Sequence, residues 1–411
     1  MARMIPVREA LDIVLRNAPL LPSEDVPLDV ALGRVLAEDV VSDMDMPPFD
    51  RSAMDGFALR AEDVAGAPVT LPVAGLLRAG QYPEAGLPAG QAVQIMTGAP
   101  VPPGATAVQP VEKTRSVDGG SRVEVLVPVE AGAHIARRGS EVRAGDLVLR
   151  GGNAIDPAAI SVLAAVGKAR VRVGGRPRVA VLVTGDELVE VSDTPGPGRI
   201  RNSNGPAVVA QARWAGAEAR ALGLVPDDPQ RIAAAVADGL GADVLVVSGG
   251  VSVGVYDLVE GVFDGLGIEV LFDKVAIKPG APLVFGRRGA TLVFGLPGNP
   301  VSAQVTFDVF VRSALLRMQG ARVVSRPTVE VELLGPVRNR SGREAHVPAR
   351  VRSEGGRLVA DPIRSMGSAD VAAHARANAL LVLAAGRVEA RAGERAPARL
   401  LGSFLERDGA E

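Results

Sequence analysis

The pattern of apolar positions changes four times along the chain, and each change marks a change of organisation. Residues 6–17 place Val7, Ala10, Leu11, Val14 and Leu15 at helical spacing. Residues 28–41 read as a second helix-compatible or mixed segment, ending in the turn-rich Met46-Pro47-Pro48-Phe49-Asp50. From about 57 to 142, short apolar runs (Leu71–Leu77, Ala92–Met96, Ala107–Val111, Val123–Val127) alternate with Pro, Gly, Asp and Ser, which predicts a small, mostly β domain. Residues 143–173 return to a mixed pattern, in which Pro157 opens a helix behind Asp156.

Residues 176–320 follow another logic. Continuous apolar runs at Val179–Val183, Val244–Val247 and Leu292–Phe294 alternate with helix-like segments at about 205–215, 229–240, 257–266 and 300–318. That alternation predicts βαβ units and a doubly wound parallel sheet buried on both faces. Pro327 marks a boundary, beyond which short strands return, with a hairpin expected at Ala379–Leu383 and Val388–Leu400. The expected fold class is thus α/β multidomain. Its divisions are a mixed segment (1–43), a small β-rich domain (44–142), a second mixed segment (143–173), the central α/β domain (174–322) and a small C-terminal β domain (323–411).

Composition narrows the chemistry. The 411 residues, 47% hydrophobic and 22% charged, suit a globular chain of about two to four domains. A net charge of −2 without a basic block gives no nucleic-acid signature. With no cysteine, disulfides, Cys-zinc sites and thiol catalysis are excluded, and three scattered histidines (His134, His346, His374) make a His-rich metal site unexpected. A bound metal would therefore take oxygen ligands, which favours a hard ion such as magnesium. Glu9 and Asp12 interrupt any signal-peptide core, and no run of about 20 apolar residues occurs, so a cytoplasmic location is expected.

Parallel sheets bind ligands beyond the carboxyl ends of their strands. Val179–Val183 runs into Thr184-Gly185-Asp186-Glu187, and Val225 into Pro226-Asp227-Asp228-Pro229. Val244–Val247 runs into Ser248-Gly249-Gly250-Val251-Ser252-Val253-Gly254 and then Asp257, and Leu292–Phe294 into Gly295-Leu296-Pro297-Gly298-Asn299-Pro300. The loop Ser248–Gly254 before a helix fits a phosphate cradle, although a glycine-rich turn explains it equally well. Asp186, Glu187, Asp227 and Asp257 at strand exits suit magnesium. Asp228 reads better as a helix cap, and Asp257 has that reading too. Lys274 and Lys278 flank a Lys-Pro-Gly turn as point charges for oxyanions, where a single loop lysine is usually a solvated charge.

These segments, together with Asn202-Ser-Asn204 and Lys274-Val-Ala-Ile-Lys278-Pro-Gly280, resemble the molybdopterin-binding domain of the MoeA/gephyrin family of molybdopterin molybdenumtransferases. Asp50-Arg-Ser-Ala-Met-Asp55-Gly-Phe-Ala58 resembles that family's D-N-S-A-M-D-G-Y-A signature, and Ile95-Met-Thr97-Gly98-Ala99-Pro100 and Arg137-Arg138-Gly139 resemble two further blocks. Coverage runs from about residue 5 to about 400 and is weakest after 327.

The resemblance implies insertion of molybdenum from molybdate into adenylylated molybdopterin, with release of AMP and with Mg2+ assisting. It implies an elongated homodimer of four-domain subunits, in which the two mixed segments (1–43 and 143–173) form one domain discontinuous in sequence. The site would lie between the central domain of one subunit and the N- and C-terminal parts of the other. Asp55, Thr97, Glu187, Asp227 and Asp257 are the implied catalytic residues. Ser248, Gly249, Gly250, Ser252, Gly254, Lys274, Lys278, Pro297, Gly298, Asn299, Pro300, Arg343, Arg350 and Ser368 are the implied substrate contacts. Asp186, Glu187, Asp227, Asp257 and Glu141 are the implied metal ligands. Outside their blocks, Asp55 reads as a helix cap and Thr97 as turn chemistry. The adenylyltransferase of the same pathway is a further expected partner; nucleic acid and membrane are not.

Four positions depart from the family pattern: Arg51 for Asn, Phe57 for Tyr, Ala281 for Lys, and Ser140-Glu141 for Glu-Asp. Two other readings compete. One is a scaffold that keeps the fold without the chemistry, as gephyrin's receptor role illustrates. The other is a nucleotide-processing enzyme sharing the central domain. The N-terminal blocks and the small C-terminal domain argue against the second.

Overall fold

The computed structural model describes residues 4–249 and 256–402, with 256–260 described by backbone alone. Its contacts divide the chain into two units: 1–38 with 151–156 and 170–411, and 39–150 with 157–169.

The first unit is built on a six-stranded sheet. Its strands are β1 (Arg178–Thr184), β2 (Glu218–Val225), β3 (Val244–Ser248), β4 (Glu269–Lys274), β5 (Pro282–Arg288) and β6 (Thr291–Leu296), in the order β2-β1-β3-β6-β5-β4. β2, β1, β3 and β6 are mutually parallel, whereas β5 and β4 extend the sheet antiparallel. The expected parallel sheet is therefore a mixed one. Residues 269–288 read as a lysine-bearing turn before one strand, but they form two strands joined by the turn that carries Lys278.

The helices fall where the periodicity places them: α1 (Asn204–Trp214), α2 (Pro229–Gly239), α3 (Tyr256–Gly265) and α4 (Pro300–Thr306). α4 continues through a π-turn at Phe307–Val311 into the helix Arg312–Met318. Side chains alternate across the strands, as a doubly covered sheet requires. Val179 and Val181 of β1 join Val208, Ala212, Phe307 and Phe310 on one face. The helix Val7–Asn17 packs into that same core through Val7, Ala10 and Val14. Ala180 and Leu182 join Ile232, Val236 and Phe263 of α2 and α3 on the other face.

The C-terminal strands Thr328–Leu333, Glu344–Glu354, Arg357–Pro362, Ala379–Leu383 and Arg395–Leu400 close into a five-stranded barrel. Its expected hairpin pairs Ala379 with Leu400, but residues 389–390 leave it to pair with 337–338. The short strand Ile277–Lys278 adds to the barrel in parallel, opposite Glu344–Ala345. The polypeptide between β4 and β5 is thus held by the barrel.

The second unit carries a six-stranded β domain whose strands Val69–Leu77, Ala92–Ile95, Ala107–Pro110 and Arg122–Val125 match the apolar runs. Helix Pro157–Ala165 begins at the expected proline. Residues 28–41 are the mixed segment, not the helix, of the two alternatives. A 3-10 turn at Leu28–Val30 is followed by Gly33 at φ +75°, where helical geometry ends, and by the two-residue strand Val40–Val41. No helix among the described residues is long and apolar enough to cross a membrane.

Candidate functional site

Parallel pairing aligns the carboxyl ends of the strands. Val183 lies opposite Ser248, Ser248 opposite Leu296, and Thr184 opposite Val225. The four strand-exit loops therefore emerge at one edge, where a cavity of about 510 Å³ is lined by Thr184, Glu187, Ser248, Gly249 and Pro297 to Pro300, among others.

Backbone geometry explains the glycine after β3. Gly249 has φ +98°, and a Cβ there would overlap the Thr184 carbonyl oxygen. A side chain at 249 is thus excluded twice, by conformation and by space. Asn204, at the start of α1, joins two of the loops. Its Nδ2 donates to Ser248 Oγ at 2.9 Å and to the Gly298 carbonyl at 2.8 Å. Asn202 Oδ1 accepts from the Gly205 N–H at 3.0 Å and fixes the helix entry. Two buried acceptors on lining residues, Thr184 Oγ1 and Asn204 Oδ1, lack a partner among the described residues. Buried polar atoms are normally paired, so unpaired ones in a cavity wall point to a polar ligand.

Of the sequence-derived candidates, Glu187, Ser248, Gly249, Pro297, Gly298, Asn299 and Pro300 line this cavity. Asp186 and Asp227 meet beside it, where the Asp227 N–H donates to Asp186 Oδ1 at 3.1 Å and Asp227 Oδ1 is buried without a partner among the described residues. Asp228 is the cap that its position suggested, accepting the Arg231 N–H at 2.8 Å. Lys274, half-buried, closes β4 opposite Pro282, which lines the cavity, and Lys278 is exposed on the strand bound to the barrel. Ser368 contributes its carbonyl, which accepts the Val301 N–H of α4 at 2.9 Å. The Arg343 guanidinium donates to the Ile277 carbonyl at 3.3 Å, and Arg350 sits on the barrel opposite Asp361. Gly250, Ser252 and Gly254 lie outside the described residues. Asp257 lies in the first turn of α3, its side chain outside the description.

The second unit holds its own polar cluster. Asp55 Oδ1 accepts from both the backbone N–H and the hydroxyl of Thr97, each at 2.7 Å. The N–H bond first, then the hydroxyl, hold the Asp55 carboxyl below its ordinary value of 3.8. A depressed pKa favours the folded state above the unfolded value, and that preference fades as pH falls through the folded pKa. Thr97→Val removes the smaller contribution, so Asp55 should titrate higher in NMR, though still below 3.8. An unmoved Asp55 would show the hydroxyl contact to be idle. Arg137 pairs with Asp50 at 2.6 Å, and Glu141 pairs with Arg51 at 2.8 Å. Two departures from the family signature are thus each other's partners. Among the described residues, no three Asp, Glu or His side chains gather as a ready metal cage.

Thr184, Asn202, Asn204 and Ser302 line the cavity but were not singled out as site residues. The Asn202-Ser-Asn204 segment carried the signal. Asparagine near a helix start reads first as a cap, and only the fold brings it against β3 and α4.

Comparisons with known proteins match this geometry. Residues 5–167 match the model of the MoeA N-terminal region (domain I and II), residues 180–317 a probable molybdopterin binding domain, and residues 330–401 the MoeA C-terminal region (domain IV). The molybdopterin molybdenumtransferase of Bacillus subtilis (strain 168) is 37% identical over 389 residues, covering 93% of this chain and 90% of that protein. Molybdopterin molybdenumtransferase 1 of Mycobacterium tuberculosis (strain ATCC 25618 / H37Rv) is 37% identical over 397 residues, covering 90% and 92%. The crystal structure of the molybdopterin biosynthesis moeA protein from Pyrococcus horikoshii OT3 superposes with a TM-score of 0.83 at 32% identity, over 97% of this chain and all of that one. With the family's regions in order along the whole length and relatives of this identity, the chain belongs to the MoeA family.

Proposed function

We propose that the chain is a molybdopterin molybdenumtransferase of molybdenum cofactor biosynthesis, taking molybdate and adenylylated molybdopterin and releasing AMP. The observation that carries this reading is the cavity at the carboxyl edge of the parallel strands. There Gly249 opens the backbone, and Thr184 and Asn204 offer unsatisfied polar atoms to a ligand. Polar loops at such an edge suit a phosphate-bearing pterin.

The acidic residues beside the cavity fit a hard cation. Asp227 Oδ1 is a buried acceptor without a partner among the described residues, and its backbone N–H donates to Asp186, which adjoins Glu187 in sequence. Asp186, Glu187, Asp227 and Asp257 would hold Mg2+, which would neutralise phosphate charge. Glu141 is engaged with Arg51 and is the weaker candidate. Lys274 and Lys278 attract the anions, while Asn204 keeps the loops at Ser248 and Gly298 at a fixed separation. Asp55, positioned by Thr97 and with its carboxyl held below the ordinary value, is the N-terminal region's candidate catalytic group. The reading extends to a homodimer, a cytoplasmic setting and the four-part division. Strand pairing of Ser23–Pro27 with Arg170–Gly174, and of 40–41 with 147–149, supports a first domain discontinuous in sequence.

The test is AMP release from adenylylated molybdopterin with Mg2+ and graded molybdate. Removing one charge beside a partly desolvated anion costs on the order of 2–5 kcal/mol. Lys274→Gln and Lys278→Gln should therefore each raise the molybdate requirement tens-fold or more. Unchanged molybdate dependence in both variants would make these lysines solvated charges and place the anion site elsewhere.

A further inference from the structure

A second cavity, of about 670 Å³, opens at the far end of α1, among residues from 32–35, 152–154, Arg176 just before β1 and the helix after the π-turn. Its lining includes Arg34, Arg176, Arg213 and Arg312 and no carboxylate. Of these, Arg34 is bound to Glu24. Arg213 and Arg312 donate to backbone carbonyls, of Ala219 at 3.1 Å and Val324 at 2.9 Å, so their charge is not neutralised there. Asp308, whose charge acts on Arg312, is already paired with Arg326 at 2.6 Å. Arg176 is exposed at the rim.

One arginine goes further. Arg34 is 6% exposed, and its Nη2 donates to the Gly174 carbonyl at 2.8 Å. Its Nε–H is buried with no acceptor among the described residues. A buried unpaired donor is costly in the absence of a ligand. Arginine forks match phosphate oxygens in pairs, and Arg176, Arg213 and Arg312, beside the ion-paired Arg34, make this cavity an anion trap. The volume fits a mononucleotide-sized molecule.

We propose that this cavity is a second anion site that binds a phosphate-bearing small molecule, separate from the cavity at the carboxyl edge of the sheet. The two lie at opposite ends of α1. Asn204 lines the first and Trp214 the second, about 15 Å apart at 1.5 Å per residue.

Trp214 makes the site readable. It is the chain's one tryptophan, is 63% exposed, and lies with its ring 4.6 Å beneath the Arg326 guanidinium. The experiment titrates the full-length chain with inorganic pyrophosphate and, separately, with AMP, following Trp214 emission. A saturable change with both probes is expected. Arg176→Gln combined with Arg213→Gln should weaken it at least tenfold at an unchanged melting temperature, while Lys278→Gln should leave it intact. Tighter binding of AMP than of pyrophosphate would add recognition of the organic part, and equal binding would restrict recognition to phosphate; either supports the site. If the double variant melts early, Arg176→Gln alone, at the exposed rim, decides by the same loss of binding. The proposal is overturned if neither probe changes the emission, if Lys278→Gln abolishes the change, or if the change follows protein concentration and dimerisation instead of ligand. The last result would make this face a contact between copies.

Discussion

Gly249→Ala is expected to lose about 100-fold in turnover and to melt several degrees early. Two costs add. A left-handed backbone costs a non-glycine residue about 1–2 kcal/mol. The new methyl would also overlap the Thr184 carbonyl, so β1 and β3 must separate at the edge where the ligand binds. A misplacement of about 1 Å in a reacting site can cost on the order of 100-fold. Gly223→Ala is the control. Gly223 has φ +97° but open space around its Cβ position, so it carries the conformational cost without the overlap. The expected result is early melting in both variants and lost turnover at 249 alone. Equal turnover loss in both would assign the effect to general destabilisation.

The second large effect concerns neighbouring aspartates. Asp227→Asn keeps shape and removes charge from a buried oxygen that has no partner among the described residues. Stability should hold or rise, while turnover falls about 100- to 1,000-fold, on the scale of losing one electrostatic group from an active site. Asp228→Ala should do the reverse. It removes the cap of α2 and costs about 1 kcal/mol of stability, but it leaves turnover near normal. Melting curves and AMP release on the two variants separate the roles. Loss of turnover at 228 with normal turnover at 227 would invert the assignment.

The central fold was legible because buried parallel strands are continuous apolar runs and their helices keep a 3.6-residue period. The antiparallel edge was not. Lys274, Lys278 and Pro279 break the pattern between β4 and β5, and the segment draws its regularity from the barrel, a long-range partner at Glu344–Ala345. Helix-compatible spacing at 28–41 was overridden by Gly33 in the left-handed region. At the site, glycine and acidic residues at strand exits were readable because connectivity fixes where exits lie. Asn204 became a bridge only through the approach of Ser248 and Gly298. Arg51 and Glu141 looked like separate departures and are one ion pair. Ala281, where the family carries lysine, is buried, and its carbonyl accepts the Val275 N–H at 3.0 Å. The side chain at this position therefore packs instead of offering a charge.

The central claim is that molybdenum enters the pterin as the adenylate is cleaved. Its most direct test measures molybdenum in the pterin product and AMP released in the same reaction, with purified chain, adenylylated molybdopterin and Mg2+, at increasing molybdate. The account predicts that both rise together with molybdate, one metal per AMP. AMP release that proceeds at full rate without molybdate, leaving a metal-free pterin, would contradict it and make the chain a nucleotide hydrolase on this fold.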